Sequence, residues 1–213
     1  MVGYNRRFAP MAVDLKRFLS ETRGPIATHY RINAGAIPAD HWTQDPAQGG
    51  GRILGEICHF VDFLIFLTGS LPRTVFASAM PASGNPPDNV AVSLLFEDGS
   101  IGTISYLADG DKAFGKERVE VFGGGRVAVL DDFRTLELVK GGHRTTNRSA
   151  LRQDKGPVAE WQAFGNAIRE GGHSPIPLRE VFAGMQATIA ITESLRSGAP
   201  VTLDHNFIAA SAT

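Results

Sequence analysis

Four side chains that can carry a charge or a proton recur within one apolar stretch of the sequence. Arg52, Glu56, His59 and Asp62 lie in "GGGRILGEICHFVDFLIFLTG", residues 49–69. On a helix these four positions, together with Gly55, fall on one stripe. Histidine titrates near neutral pH and is therefore well suited to accept a proton from a hydroxyl group. The stretch is therefore a candidate for acid–base chemistry.

The rest of this stretch is apolar, which predicts a largely buried helix over residues 52–67 that ends at Gly69. A polar stripe on a buried helix costs free energy unless it lines a cleft or is paired internally. Gly55 leaves room for a ligand beside His59. The alternative is that Arg52 and Glu56 form an i,i+4 ion pair and that His59 is a core histidine with satisfied hydrogen bonds.

Other kinds of site fit the same stretch poorly. The dinucleotide fingerprint G-x-G-x-x-G fails because Leu54 stands in place of the third glycine, and no Gly-Lys-Ser/Thr occurs. Free backbone N–H groups near Gly50 and Gly51 still favour a carboxylate or phosphate.

Cys58 and His59 point about 100° apart on a helix, and the other histidines are scattered, so no metal site is expected. Cys58 is predicted to be a small buried side chain.

Composition excludes several classes of partner. The chain has 213 residues, 43% of them hydrophobic and 20% charged, with a formal net charge of −1. Without a long run of basic residues, neither a nucleic acid nor an anionic membrane surface is an expected partner. No apolar run is long enough to span a bilayer. The single cysteine and the lack of a signal peptide indicate a cytoplasmic protein.

The order of predicted elements is typical of an α+β domain. The opening segment, residues 1–10, resembles a strand, and residues 143–156 are expected to form a polar loop. Helices are predicted over residues 10–22, 52–67, about 157–168 and about 178–196; strands are predicted within residues 25–35, 73–80, 89–108 (a hairpin) and 117–142 (three strands). In the last two helices an apolar stripe is expected to face the core: Val158, Trp161, Phe164 and Ile168 in one, and Val181, Phe182, Met185, Ile189 and Leu195 in the other.

Three segments resemble the C-terminal domain of the Gfo/Idh/MocA family, the relatives of glucose–fructose oxidoreductase and inositol dehydrogenase. "GYNRRFAP" resembles the segment that leaves the family's dinucleotide domain, and residues 49–69 resemble its Gly-Gly-Gly, Asp and His helix. "ITESLRSGAPVTL" resembles its closing helix and strand. The resemblance covers nearly the whole chain. It implies an α+β fold with an open, mostly antiparallel sheet and helices packed on one face, a dihydrodipicolinate-reductase-like domain.

The resemblance also implies an NAD(P)-dependent oxidoreductase that acts on a sugar, sugar nucleotide, cyclitol or related hydroxyl compound. Family members bind NAD or NADP mainly through an N-terminal Rossmann domain, which also carries a catalytic lysine in a Glu-Lys-Pro motif. This sequence contains neither that motif nor G-x-G-x-x-G. We therefore expect residues 1–23 to be the remnant of a junction with a missing Rossmann domain. Residues 24–213 would be the substrate-binding and oligomerisation domain, which alone binds no cofactor and is inactive.

Residue roles follow from the same resemblance. His59 matches the family's histidine and is the implied catalytic base, whereas the family's aspartate four residues earlier is Gly55 here, with Glu56 beside it. A neighbouring position on a helix points about 100° away, so Glu56 is not a direct substitute. Expected substrate contacts are Arg31, Asn33, Trp42, Arg52 and Glu56; residues expected near the nicotinamide are Tyr4, Asn5 and Arg7.

The expected partners are a small-molecule substrate and further copies of the chain. Apolar residues on the outer side of "VAVSLLF" and "IGTISYL" would suit a homo-oligomer formed through the open sheet face. The alternative function is a non-catalytic module of the same fold that dimerises or binds a small ligand. Turnover of NAD(P)H by a chain joined to a dinucleotide domain would separate the two.

Overall fold

A nine-stranded sheet organises the computed structural model, which describes residues 1–38, 41–44, 51–81, 88–149 and 152–205. Within these residues the strand order is β8-β7-β6-β5-β1-β4-β3-β2-β9, and every pair is antiparallel except β1 with β4. The strands are β1 Ala27–Asn33, β2 Pro72–Ala79, β3 Val90–Phe96, β4 Ile101–Leu107, β5 Glu117–Gly123, β6 Arg126–Asp131, β7 Thr135–Lys140, β8 His143–Arg148 and β9 Val201–Thr202.

Four α-helices accompany the sheet: α1 Pro10–Leu19, α2 Cys58–Thr68, α3 Pro157–Glu170 and α4 Leu178–Ser197. Buried and exposed residues alternate along β3 and β5, so one face of the sheet is covered and the other is open. α2 and α4 contact each other, α4 lies on β2, and α1 lies against β6 and β7. The predicted α+β fold, with an open, mostly antiparallel sheet and helices on one face, is confirmed.

The core lies between the covered face and these helices. α2 is almost entirely apolar, and Tyr30 of β1 packs edge-on against Phe60 and Phe63 of α2, at ring-centroid distances of 5.0 and 5.7 Å. Each apolar side chain of this size contributes about 1.5–3 kcal/mol when fully buried. α2 ends at Gly69, whose φ of 73° is the left-handed conformation that glycine adopts readily.

Four local predictions were wrong. The first residues of the chain form no strand, and Asn5–Phe8 is instead a 3₁₀ helix, called the entry turn below. Residues 143–148 are not a loop but strand β8, which is exposed along its length and pairs with β7. In α3, Val158, Trp161 and Ile168 are 66%, 71% and 64% exposed rather than buried. In α4, Phe182, Met185 and Ile189 are also exposed.

The entry turn is anchored by buried ion pairs. Arg6 binds Glu117 at the start of β5 through two hydrogen bonds of 2.8 and 3.0 Å. Glu117 also accepts hydrogen bonds from Lys155 and from the Tyr30 hydroxyl. Burial alone would raise the pKa of Glu117, but hydrogen bonds and charge from Arg6, together with Lys155, lower it to about 2.

The same turn packs closely against the start of α3. Gly156 has a φ of 86°, and a Cβ built there would lie 2.5 Å from the backbone oxygen of Asn5 and the backbone nitrogen of Ala9. Only glycine allows this approach. Ala9 and four residues of α1 (Met11, Ala12, Leu15 and Leu19) belong to the same buried core as the sheet. Ala9 and these residues of α1 lie within residues 1–23, predicted to be a junction remnant, so part of that segment belongs to this core.

We predict that Glu117→Ala lowers the free energy of unfolding by about 3–5 kcal/mol, because it leaves the Arg6 charge buried without its counter-ion. Denaturant unfolding measures this. The matched control is Glu120→Ala on the same strand, since Glu120 pairs with Arg118 on the open face, where both side chains are partly exposed. That change should cost no more than about 1 kcal/mol. Equal losses for the two variants would contradict the anchoring role of Glu117.

Candidate functional site

A π-helical segment leads into α2. Residues Ile53–Ile57 form i→i+5 turns, and α2 continues from Cys58. π-Helical turns are rare and often lie at functional sites. The predicted stripe assumed a continuous α-helix, which this wider turn interrupts. The charged residues of the stripe have separate partners. Arg52 and Glu56 pair with each other, whereas Asp62 binds Arg7 of the entry turn.

Arg52 is a buried cation at the start of this segment. Its Nε donates to Glu56 Oε1 at 3.0 Å, and another guanidinium nitrogen donates to the carbonyl of Gly35 at 2.8 Å. Its guanidinium carbon lies 5.1 Å from the ring centre of Tyr106 on β4. The Tyr106 hydroxyl is buried and has no hydrogen-bond partner among the described residues. The Arg52–Glu56 ion pair, expected under the alternative in which these residues have a structural role, is therefore present.

His59 does not behave as a satisfied core histidine. Its side chain is half-buried, and its Nδ1 is fully buried without a hydrogen-bond partner in the described part of the chain. Its ring meets the ring of Tyr4 nearly at a right angle, with centroids 5.5 Å apart. Because Nδ1 is enclosed, Nε2 is the nitrogen that a ligand could reach.

Charges near His59 keep it neutral. Burial and the positive charge of Arg6 lower the pKa of His59 to about 4, with a smaller lowering from Lys116. Glu117 and Glu56 act in the opposite direction but do not reverse the shift. A neutral imidazole at pH 7 can accept a proton, which is the state that a general base needs.

A second ion cluster lies behind the site. Arg7 binds Asp62 through two hydrogen bonds and Glu180 of α4 through a third of 2.7 Å. Burial raises the pKa of Asp62 to about 6 although Arg7 opposes that shift. Glu160 of α3 is also buried, and burial raises its pKa as well. This cluster joins the entry turn, α2 and α4.

The predicted substrate contacts divide into two groups. Arg52 and Glu56 lie on the same segment as His59, as predicted. Asn33 is buried, and its amide nitrogen donates to the carbonyls of Asp111 and Phe114. Arg31 lies on the open face of the sheet, away from α2, and its guanidinium stacks 4.6 Å from the Phe114 ring centre.

These two strand residues thus hold the loop 108–116. Trp42 is largely exposed, and its ring lies 5.9 Å from that of His41. Of Gly50 and Gly51, considered as an anion site, Gly50 lies outside the described residues.

The residues expected near the nicotinamide all contact the domain itself. Tyr4 is 2% exposed and packs in a small cluster with Cys58 and Ile176. The Asn5 amide donates to the carbonyl of Lys155 at 2.8 Å. Arg7 is held by the carboxylates described above. Their contacts to a cofactor remain a prediction.

Sequence reasoning missed Arg6, Glu117 and Tyr106. One signal was available for Glu117, since it falls in phase with the buried Val119 and Val121 of β5. An acid on the apolar face of a strand requires a partner. Among the described residues, no group of three or more His, Cys, Asp or Glu side chains could hold a metal ion, and no helix is long and apolar enough to cross a membrane.

Comparison with known proteins agrees with this fold. The family model described as the GFO/IDH/MocA C-terminal domain matches residues 25–126. The predicted resemblance to this family is therefore confirmed. No protein of curated function matches the sequence.

Solved structures of oxidoreductases share the fold at low sequence identity. Levoglucosan dehydrogenase, in complex with NADH and levoglucosan, is 18% identical with a TM-score of 0.81; the alignment covers 96% of this chain and 66% of that one. Aldose–aldose oxidoreductase from Caulobacter crescentus, complexed with glycerol, is 18% identical with a TM-score of 0.78, over 95% and 63%. UDP-N-acetylglucosamine 3-dehydrogenase from Acidithiobacillus ferrooxidans is 19% identical with a TM-score of 0.75, over 92% and 60%.

This chain thus spans less than two thirds of the length of each of these three relatives.

We predict that His59 titrates in the folded chain with a pKa of about 4. Proton NMR of the ring hydrogens measures this, and loss of one signal in His59→Gln identifies it. Because folding lowers the pKa from 6.5, protonation of His59 opposes folding. Its unfavourable effect on stability is absent above pH 6.5 and grows as the pH falls towards 4. A midpoint near 6.5 would show that His59 is in water rather than half-buried beside Arg6.

Proposed function

We propose that this chain, in which residues 25–126 match the Gfo/Idh/MocA C-terminal domain, is the substrate-binding domain of an NAD(P)-dependent oxidoreductase. Its substrate would be a sugar, sugar nucleotide, cyclitol or related hydroxyl compound. The observation that carries the proposal is His59, a half-buried, neutral histidine whose enclosed Nδ1 has no hydrogen-bond partner among the described residues. The structural relatives named above act on or bind compounds of this class, although their similarity to this chain establishes only the fold. A cytoplasmic location, predicted from the single cysteine, is part of the same proposal.

His59 would accept the proton of the substrate hydroxyl at Nε2. Arg52 and Glu56 support this role because they lie on the same segment and keep each other in place through a 3.0 Å hydrogen bond. Glu56 is partly exposed, so its carboxylate can also accept a hydrogen bond from a second substrate hydroxyl. Gly55 is exposed and would leave room for the substrate beside His59.

We infer that the dinucleotide binds mainly to another domain. β1 and β4 are the one parallel pair in this part of the chain, and no glycine-rich loop joins a strand to a helix there. A separate dinucleotide-binding domain would supply the hydride acceptor. Exposed apolar residues support a missing neighbour of this kind: Val158, Trp161 and Ile168 on α3, and Leu178, Phe182 and Met185 on α4.

The open face of the sheet would pack against a second copy of the chain. One row of side chains crosses six strands in register on this face: Leu95, Ile101, Ala27, Phe122, Val127 and Val139. Ile101 is 53% exposed and Phe122 45%. The two neighbouring rows contain charged and polar residues, which include His29 with Glu120 and Arg31 with Arg118. An apolar row beside polar ones is typical of an interface with a defined orientation.

We predict that His59→Ala lowers kcat/KM by about 10²–10⁴ in a protein that joins this chain to a dinucleotide-binding domain, because a general base contributes that much. NAD(P)H formation across sugars, sugar nucleotides and cyclitols measures this. His173→Ala, which changes an exposed histidine between α3 and α4, is the matched control and should leave the rate unchanged. Unchanged turnover in His59→Ala would refute the assignment of the base. A protein with no turnover on any of these substrates would favour a non-catalytic module.

We predict that Ile101→Lys shifts the chain from an oligomer to a monomer, because it places a charge within the apolar row. Light scattering coupled to size-exclusion chromatography measures the mass. Val13→Lys changes a similarly exposed apolar residue on α1 and should leave the mass unchanged. A monomeric parent chain, or an oligomer that survives Ile101→Lys, would contradict the role of this face.

A further inference from the structure

The enclosed nitrogen of His59 raises the question of where its proton lies. A neutral imidazole carries one proton, on either Nδ1 or Nε2, and the nitrogen without it is the acceptor. The surroundings of one nitrogen usually decide which form is present. Nδ1 of His59 has no hydrogen-bond partner among the described residues. An interaction other than a hydrogen bond at Nδ1 must therefore favour either the Nδ1–H or the Nε2–H form.

Tyr4 is the ring that His59 meets. The two ring planes are inclined at 77°, and the centroids are 5.5 Å apart, an edge-to-face arrangement. Aromatic rings have a negative face and a positive edge, so an N–H pointing at the face is attracted and a nitrogen lone pair is repelled. Four residues before His59 stands Gly55, which has no side chain that could accept an Nδ1 proton. The contact with Tyr4 is thus a means of selecting the form.

We propose that Tyr4 is a positioning residue that places the proton of neutral His59 on Nδ1, with the N–H directed at the face of the Tyr4 ring. Nε2 is then unprotonated and is the acceptor nitrogen. A ligand O–H can transfer its proton to Nε2, the O–H electron pair remaining on oxygen, and the imidazolium can return the proton along the same path. A catalytic use of the Nδ1–H form rests on the proposed function. The presence of that form does not depend on it.

The position of Tyr4 is fixed independently of His59. Tyr4 packs with Cys58 and Ile176, and with Phe8 and Val181 at the edge of the same cluster. It directly precedes the entry turn, which is held by the ion pairs of Arg6 and Arg7. The ring therefore belongs to a rigid part of the fold, and a fixed ring can set the orientation of the imidazole beside it.

Nitrogen NMR of the isolated chain tests the proposal. The ring-nitrogen shifts of ¹⁵N-labelled histidine distinguish Nδ1–H from Nε2–H, and His59→Gln assigns the signals. At pH 7 we expect His59 to be mainly in the Nδ1–H form, with the Nδ1 proton shifted upfield by the Tyr4 ring and showing an NOE to it. Tyr4→Phe keeps the ring and should keep this form. Tyr4→Leu removes the ring face and should make Nε2–H the major form.

A parent chain with mainly Nε2–H, or an unchanged form in Tyr4→Leu, would overturn the proposal. If Tyr4→Leu does not fold, the parent chain and Tyr4→Phe still test the proposal. Absence of an NOE between the Nδ1 proton and the ring of residue 4 would also overturn it. The spectra need neither substrate nor turnover. Failure of the proposed function, seen as full activity in His59→Ala, is therefore distinguishable from failure of the proposal about Tyr4.

Discussion

Buried ion pairs fix the entry turn Asn5–Phe8 to the domain, and the geometry of the candidate site depends on them. Arg7 reaches Asp62 in the middle of α2, and Arg6 reaches Glu117 at the start of β5. The four side chains are almost inaccessible to water, so removing one partner leaves a charge where solvation is poor. The turn thereby connects the helix that carries His59 to the sheet on which that helix lies.

The chemical state of His59 follows from this arrangement. Arg6 lies close enough to lower the pKa of His59, and Glu117 limits that effect by balancing the Arg6 charge. Tyr4, at the beginning of the same turn, covers one side of the imidazole. The π segment then displays Gly55 and Glu56 on the accessible side. A neutral histidine with an enclosed, unpartnered Nδ1 is the result, without the acidic residue that the family resemblance implies at position 55.

Local sequence patterns were sufficient to predict most of the helices and strands, but not the partners with which those elements pair or pack. Periodicity predicted α1, α2 and the hairpin of β3 and β4 because each depends on neighbouring residues. β8 was missed because "HRTTNR" has no apolar residue and forms a strand only by pairing with β7. The stripe of α3 was placed in the core because periodicity cannot tell an apolar surface that faces the core from one that is exposed. Arg6 with Glu117 escaped notice because they are 111 residues apart.

The central claim is that the ion pairs of the entry turn hold the site together, and a double-mutant cycle between Arg7 and Asp62 tests it most directly. Denaturant unfolding would be measured for Arg7→Met, Asp62→Leu and the double variant. We predict that each single change costs about 3–5 kcal/mol and that the double variant recovers about 2–3 kcal/mol relative to their sum. Additive losses, with a coupling below about 0.5 kcal/mol, would contradict the claim.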